Sequence, residues 1–185
     1  NLTTWQRIKN SDLRSLTHDP EFANPATNDF RLRSTTGRFQ PGVGMVTDTV
    51  SSVLLDAGDP GASFNLEPIP NGGRLNIGRY GNTSQASLTP TNGRLTAVSF
   101  NDGGIASGTN ELLYWIASGE VTNHLVRVDI SYDDGFAWVP LASNLPATVS
   151  TLRWDTTSWL TQPFVRWRVQ SQVNSNIVDR CDRWF

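Results

Sequence analysis

Asp56, Asp59 and Glu67 place three carboxyls close together in the chain, with Ala57-Gly58 between the first two and Pro68 after the third. Carboxyls are what glycoside chemistry requires, one as acid and a second as base or nucleophile at a controlled separation. No surrounding motif supports such a pair, however, and Asp in turns readily accepts backbone N–H bonds. The three are therefore expected to tie down an irregular backbone, and no catalytic residue is assigned. Asp129, Asp133 and Asp134 offer hard oxygens of the kind Ca²⁺ prefers. Their spacing lacks the glycine and distal glutamate of a calcium loop, and Asp133-Asp134-Gly135 reads as an ordinary hairpin turn. His18 and His124 are far apart in sequence with no cysteine nearby, which disfavours zinc. Ser/His/Asp catalysis finds no G-x-S-x-G context. The expectation is a chain without cofactor or metal, calcium being possible but unsupported.

Seven tryptophans are the remaining chemical resource, because an aromatic face can stack on a sugar ring. Alternation places Trp115, Trp154 and Trp167 on inward faces of strands, as core. Trp138, Trp159 and Trp184 escape that pattern and are the candidate glycan-contacting residues. Trp159 lies in TSWLTQP, a loop by composition, and is the first choice among them. Packing in a core or at a domain boundary is the competing role for all three.

The elements that must position these residues are mostly strands and turns. Asp56 to Thr83 is rich in Gly and Pro yet carries apolar anchors at Leu66, Ile69, Leu75, Ile77 and Tyr80. That composition forces a backbone through tight turns while a few side chains stay inside. Thr3 to Ser15 suits a short helix with Trp5, Ile8 and Leu13 towards one face. Asp29 to Ser34 alternates as a strand, Phe30 and Leu32 inward and Arg31 and Arg33 outward. Val46 to Leu55 forms a second strand-like run. A polar Pro/Gly stretch near Thr89–Arg94 marks the expected domain boundary. Beyond it, Glu111–Ser118, Leu125–Tyr132, Phe136–Leu141, Leu152–Trp154 and Val165–Val169 read as strands of an antiparallel β-sandwich.

Bulk properties narrow the function classes. A net charge of −2 over 185 residues gives no electrostatic case for nucleic acid or an anionic membrane. Lys9 is the only lysine, and the arginines are scattered rather than clustered. Cys181 is the single cysteine, so no intrachain disulfide can form. No apolar run approaches the ~18–20 residues of a spanning helix. The chain opens on Asn1 without an initiator methionine, as a processed or excised polypeptide would.

Several motifs resemble the C-terminal end of secreted bacterial right-handed parallel β-helix proteins of the pectate-lyase-like superfamily. They are Trp5-Gln6, Ser15-Leu16 with Asp19-Pro20-Glu21-Phe22, Asp29-Phe30-Arg31-Leu32, Asp56 to Pro60, and Glu67 to Thr83. Residues 91–185 resemble the immunoglobulin- or fibronectin-III-like sandwich that often follows such helices. The marks are Val128 to Tyr132, Asp133 to Trp138, Arg166 to Val169, and the closing Asp179 to Phe185, where Cys181 stands in place of a serine. The resemblance implies an all-β chain in two parts: residues 1–90 as β-helix end and cap, and 91–185 as sandwich. The catalytic rungs of such proteins lie upstream, so no catalytic residue carries over.

The expected function is a non-catalytic structural or binding module of a surface or secreted protein, acting as spacer or in adhesion or glycan contact. Its location would be extracellular or on the bacterial cell surface, and its partners extracellular polysaccharide or further copies of itself. Two alternatives are a self-assembling filament subunit and the tail of a polysaccharide lyase or hydrolase.

Overall fold

The structure, a computed structural model, describes residues 2–9 and 11–185, the side chain of Arg7 excepted. The described residues are all-β with one short α-helix, α1 (Leu2–Lys9), and three 3-10 turns, and none of these helices is long and apolar enough to cross a membrane. The chain forms two compact units: a sandwich-like unit made of the N-terminal segment through Thr17 with Leu95–Ala117 and Val121–Phe185, and a turn-rich unit made of His18–Arg94 with Ser118–Glu120.

In the turn-rich unit, β1 (Phe22–Asn24) pairs with β2 (Asp29–Leu32), and β3 (Arg38–Gln40) with β4 (Gly44–Val46). Both ladders are antiparallel, so the parallel coils expected of a β-helix are not displayed here. The strand expected over Val46–Leu55 is instead a succession of turns after β4. Ser52 explains the difference, because its hydroxyl donates to the Pro20 carbonyl at 2.6 Å and accepts the Leu54 N–H at 3.1 Å. A side chain bonding its own neighbourhood competes with a ladder. Arg31 corrects a second expectation. It points inward rather than outward, with its guanidinium carbon 4.3 Å from the Tyr80 ring centroid and 5.5 Å from that of Phe39. Asp29 neutralises it at 2.9 Å.

The sandwich-like unit has two sheets. One is built from β5 (Arg94–Ala97), β6 (Glu111–Ser118) and β9 (Thr151–Trp154), in the order β5-β6-β9. The other runs β11-β10-β7-β8, from β7 (Leu125–Ser131), β8 (Val139–Pro146), β10 (Arg166–Ser171) and β11 (Val178–Arg180). Period-2 alternation sends Leu113, Trp115 and Trp154 from the first sheet and Val126, Val128, Ile130, Trp167 and Val169 from the second into one core. Trp115, Trp154 and Trp167 are 0, 7 and 0% exposed, as alternation requires. A buried indole N–H usually finds an acceptor: Trp115 donates to the Ala147 carbonyl at 2.8 Å and Trp167 to that of Ser99 at 2.7 Å, whereas Trp154 Nε1 has no partner.

Two local expectations change here. The sequence division at residue 90 placed the N-terminal segment with the β-helix end, whereas that segment clusters with residues 95 onward. Asp102 holds it, accepting the Leu2 N–H and the Thr3 hydroxyl at 2.7 Å each. As a result α1 buries Thr3 and Gln6, while Trp5, Ile8 and Leu13 remain exposed. The return strand begins at Val139 rather than Phe136, and Phe136 is 90% exposed in the preceding loop.

Candidate functional site

The carboxyls near Asp56 belong to the turn-rich unit. Asp56 sits at φ +54° and is fully buried. Its Oδ1 accepts the Gly72 N–H at 3.0 Å and the Thr89 hydroxyl at 2.9 Å, while its own N–H donates to Asn76 Oδ1 at 2.7 Å. Glu67, also buried, accepts the N–H groups of Asn76 and Asn82 at 2.9 Å each through Oε1. Asn76 completes the cluster by donating to the Ser87 carbonyl at 2.8 Å. Asp59 stays exposed and accepts the Gly61 N–H at 2.9 Å. These bonds are the backbone-tying role expected of the three residues.

Burial pushes both the Asp56 and Glu67 carboxyls above their ordinary range. Thr89 and Gly72 pull Asp56 the other way, and Asn82 and Asn76 do so for Glu67. Oδ2 of Asp56 and Oε2 of Glu67 are buried without a hydrogen-bond partner. Burial of these oxygens penalises the charged form of both carboxyls, which is why the shift is upward.

In the sandwich-like unit the remaining aspartates are occupied by structure. Asp133 Oδ1 accepts the Ser131 hydroxyl at 2.7 Å and the Ala137 N–H at 2.8 Å, and these bonds hold its carboxyl below the usual range, the Ala137 N–H most strongly. Asp134 pairs with Arg166, and the turn they serve has Asp134 and Gly135 at positive φ. Asp129 is fully buried between Arg168 Nε at 2.7 Å and Arg127 Nε at 3.1 Å. Among the described residues, no three His, Cys, Asp or Glu side chains come together as a metal site. His124 Nδ1 lies 2.9 Å from the Ser171 hydroxyl.

The three candidate tryptophans occupy different settings. Trp138 is half-buried and lies under the Arg168 guanidinium, whose carbon is 4.4 Å from its ring centroid. That contact joins Trp138 to the Asp129 ion pair and occupies one of its faces. Trp184 is 52% exposed, edge-on to Phe164 at 5.4 Å. Trp159 is 40% exposed. Its ring stacks on Tyr132 at 5.4 Å and meets Trp154 edge-on at 6.3 Å. Trp154 in turn meets Phe185, which stacks on Phe100 at 4.4 Å. The Trp159 ring is thus the outer end of an aromatic series rooted in the core.

The loop around Trp159 is fixed as well as the ring. Asp155 Oδ1 accepts the Thr157 N–H at 2.9 Å and its hydroxyl at 2.6 Å, and the Trp159 N–H donates to the Thr156 carbonyl at 3.1 Å. Sequence reasoning found Trp159 but not Tyr132, whose alternation placed it on the inner face. Tyr132 is partly buried and its hydroxyl has no hydrogen-bond partner, so desolvation pushes it up to about 12. Comparison with protein-family models, curated proteins and solved structures finds no match.

Proposed function

We propose that this chain is a non-catalytic extracellular structural and binding module of a surface or secreted protein. In this reading residues 91–185 are an immunoglobulin- or fibronectin-III-like sandwich that contacts glycan through Trp159. The turn-rich residues 18–90 close the end of a parallel β-helix.

The observation that carries the glycan role is the half-exposed Trp159 ring, backed by Tyr132 and Trp154. A ring already held in place loses little freedom on binding, so stacking a sugar on it is less costly than on a mobile side chain. Two strands at the edges of the four-stranded sheet favour this over assembly through strand addition. β8 carries Pro140 and Pro146, and β11 has only three residues. Proline and brevity both blunt an edge. The closing role for the turn-rich part draws support from its side-chain-to-backbone bonds, which satisfy polar groups without a regular ladder.

Affinity electrophoresis through gels containing neutral or acidic polysaccharides tests the reading. At least one polysaccharide should retard the chain, and Trp159→Ala should remove most of that retardation. The same polysaccharides incubated with the chain should release no new reducing or unsaturated ends. Release of such ends, or retardation unchanged by Trp159→Ala, would overturn the proposal.

A further inference from the structure

A second feature of the sandwich-like unit uses none of the three tryptophans. A cleft of about 360 Å³ opens between α1 and the segment 107–111. Leu112 and Arg153 lie directly across from each other in the β6–β9 ladder and contribute to its lining. Their neighbours Leu113 and Trp154 turn into the core, which sends Leu112 and Arg153 to the opposite face. Phe100 adds an apolar surface, and Gln6, Asn110 and Glu111 add polar groups.

The lining has an uneven demand for partners. Glu111 Oε1 accepts the Ser107 N–H at 2.9 Å, and the Gln6 amide donates to the Asp12 carbonyl. Arg153 forms no hydrogen bond or ion pair among the described residues, although a guanidinium presents five donors in a planar fork. A fork of that shape matches a carboxylate or phosphate through two parallel bonds. The volume lies at the small end of ligand pockets, which start at ~300 Å³. That is room for one sugar ring rather than a chain of them.

We infer that this cleft binds a small anionic polyol of monosaccharide size, with Arg153 holding its carboxylate or phosphate and Asn110 and Glu111 meeting its hydroxyls. The inference goes beyond the glycan-contact reading, because it requires a charged terminal group and a different set of residues.

NMR titration of the full chain with sodium glucuronate, glucose 6-phosphate and glucose tests it. Either anionic sugar should shift the amides of Thr109 and Asn110, and the comparison of the two says which anion is preferred. Glucose should bind at least roughly tenfold more weakly, since it offers no charge to the guanidinium. Arg153→Gln should weaken the anionic ligand by a similar roughly tenfold factor, and Asn110→Ala should weaken it independently. Both substitutions are at exposed positions, so the amide spectrum should otherwise be retained. Trp159→Ala should leave this binding unchanged, which separates the cleft from the Trp159 platform. Equal binding of glucose and the anions, unchanged affinity in Arg153→Gln, or no shift with any of the three would overturn the assignment.

Discussion

Adding one methyl group at Gly72 should damage the turn-rich unit more than adding one at its neighbour Gly73. A Cβ at Gly72 would stand 2.5 Å from Asp56 Cγ and in harder collision with Oδ2. Backbone geometry is not the obstacle there, because Gly72 does not have a positive φ. The obstacle is a short, fully buried carboxyl that cannot swing away without releasing the Gly72 N–H and the Thr89 hydroxyl. Each buried polar group left unpaired costs about 1–3 kcal/mol, so losing both bonds should cost about 2–6 kcal/mol. Gly73 presents the opposite case, with φ +76° and open space around its missing Cβ. Gly73→Ala should therefore cost only the left-handed penalty of about 1–2 kcal/mol.

The choice of probe matters. All seven tryptophans fall in the sandwich-like unit, so their emission does not report the turn-rich unit directly. Hydrogen exchange at the Gly58 and Ile77 amides does, since these donate to Leu75 and Leu54 carbonyls at 2.8 and 2.9 Å. A loss of protection in Gly72→Ala equal to or smaller than that in Gly73→Ala would refute the reasoning.

Two further outcomes follow from the buried titratable groups. Asp56 and Glu67 both have raised pKa values in the folded turn-rich unit, so just above the ordinary carboxylate value the folded chain binds more protons there than the unfolded chain. Their contribution is full below the ordinary carboxylate value and is lost as pH rises through the raised values. Protection at Ile77, corrected for intrinsic exchange, should therefore grow as pH falls towards the ordinary carboxylate value, and Asp56→Asn should flatten that slope. Burial pushes the Cys181 thiol up to about 11, and the Trp167 N–H donates to its sulfur at 3.4 Å. Iodoacetamide at neutral pH should label it only as fast as the sandwich opens, and its labelling should accelerate in urea; rapid labelling of the native chain would contradict that burial.

The sandwich was readable where period-2 alternation coincided with one buried face. Val126, Val128 and Ile130 follow that rule, and so do Trp167 and Val169. Trp159 was readable as a loop aromatic, but its Tyr132 support was not, because stacking across loops leaves no periodic trace. In the turn-rich unit the deciding bonds are long-range and polar. Ser34 donates to the Leu88 carbonyl and Ser87 to that of Leu32, each at 2.6 Å. No local window contains both partners of such a bond, so the run over Val46–Leu55 and the outward Arg31 were misread. Likewise α1 buries its Thr3/Gln6 side because Asp102 anchors its start, and hydrophobic spacing alone pointed to Trp5 and Ile8.

The central claim is that Trp159 is a prebuilt platform for sugar. Isothermal titration of the best-retained oligosaccharide into the chain and into Trp159→Ala and Trp138→Ala tests it most directly. The account predicts that Trp159→Ala weakens binding by roughly tenfold or more, while Trp138→Ala, one face of its ring already taken by Arg168, leaves affinity nearly unchanged. Equal affinities for the chain and Trp159→Ala would contradict it.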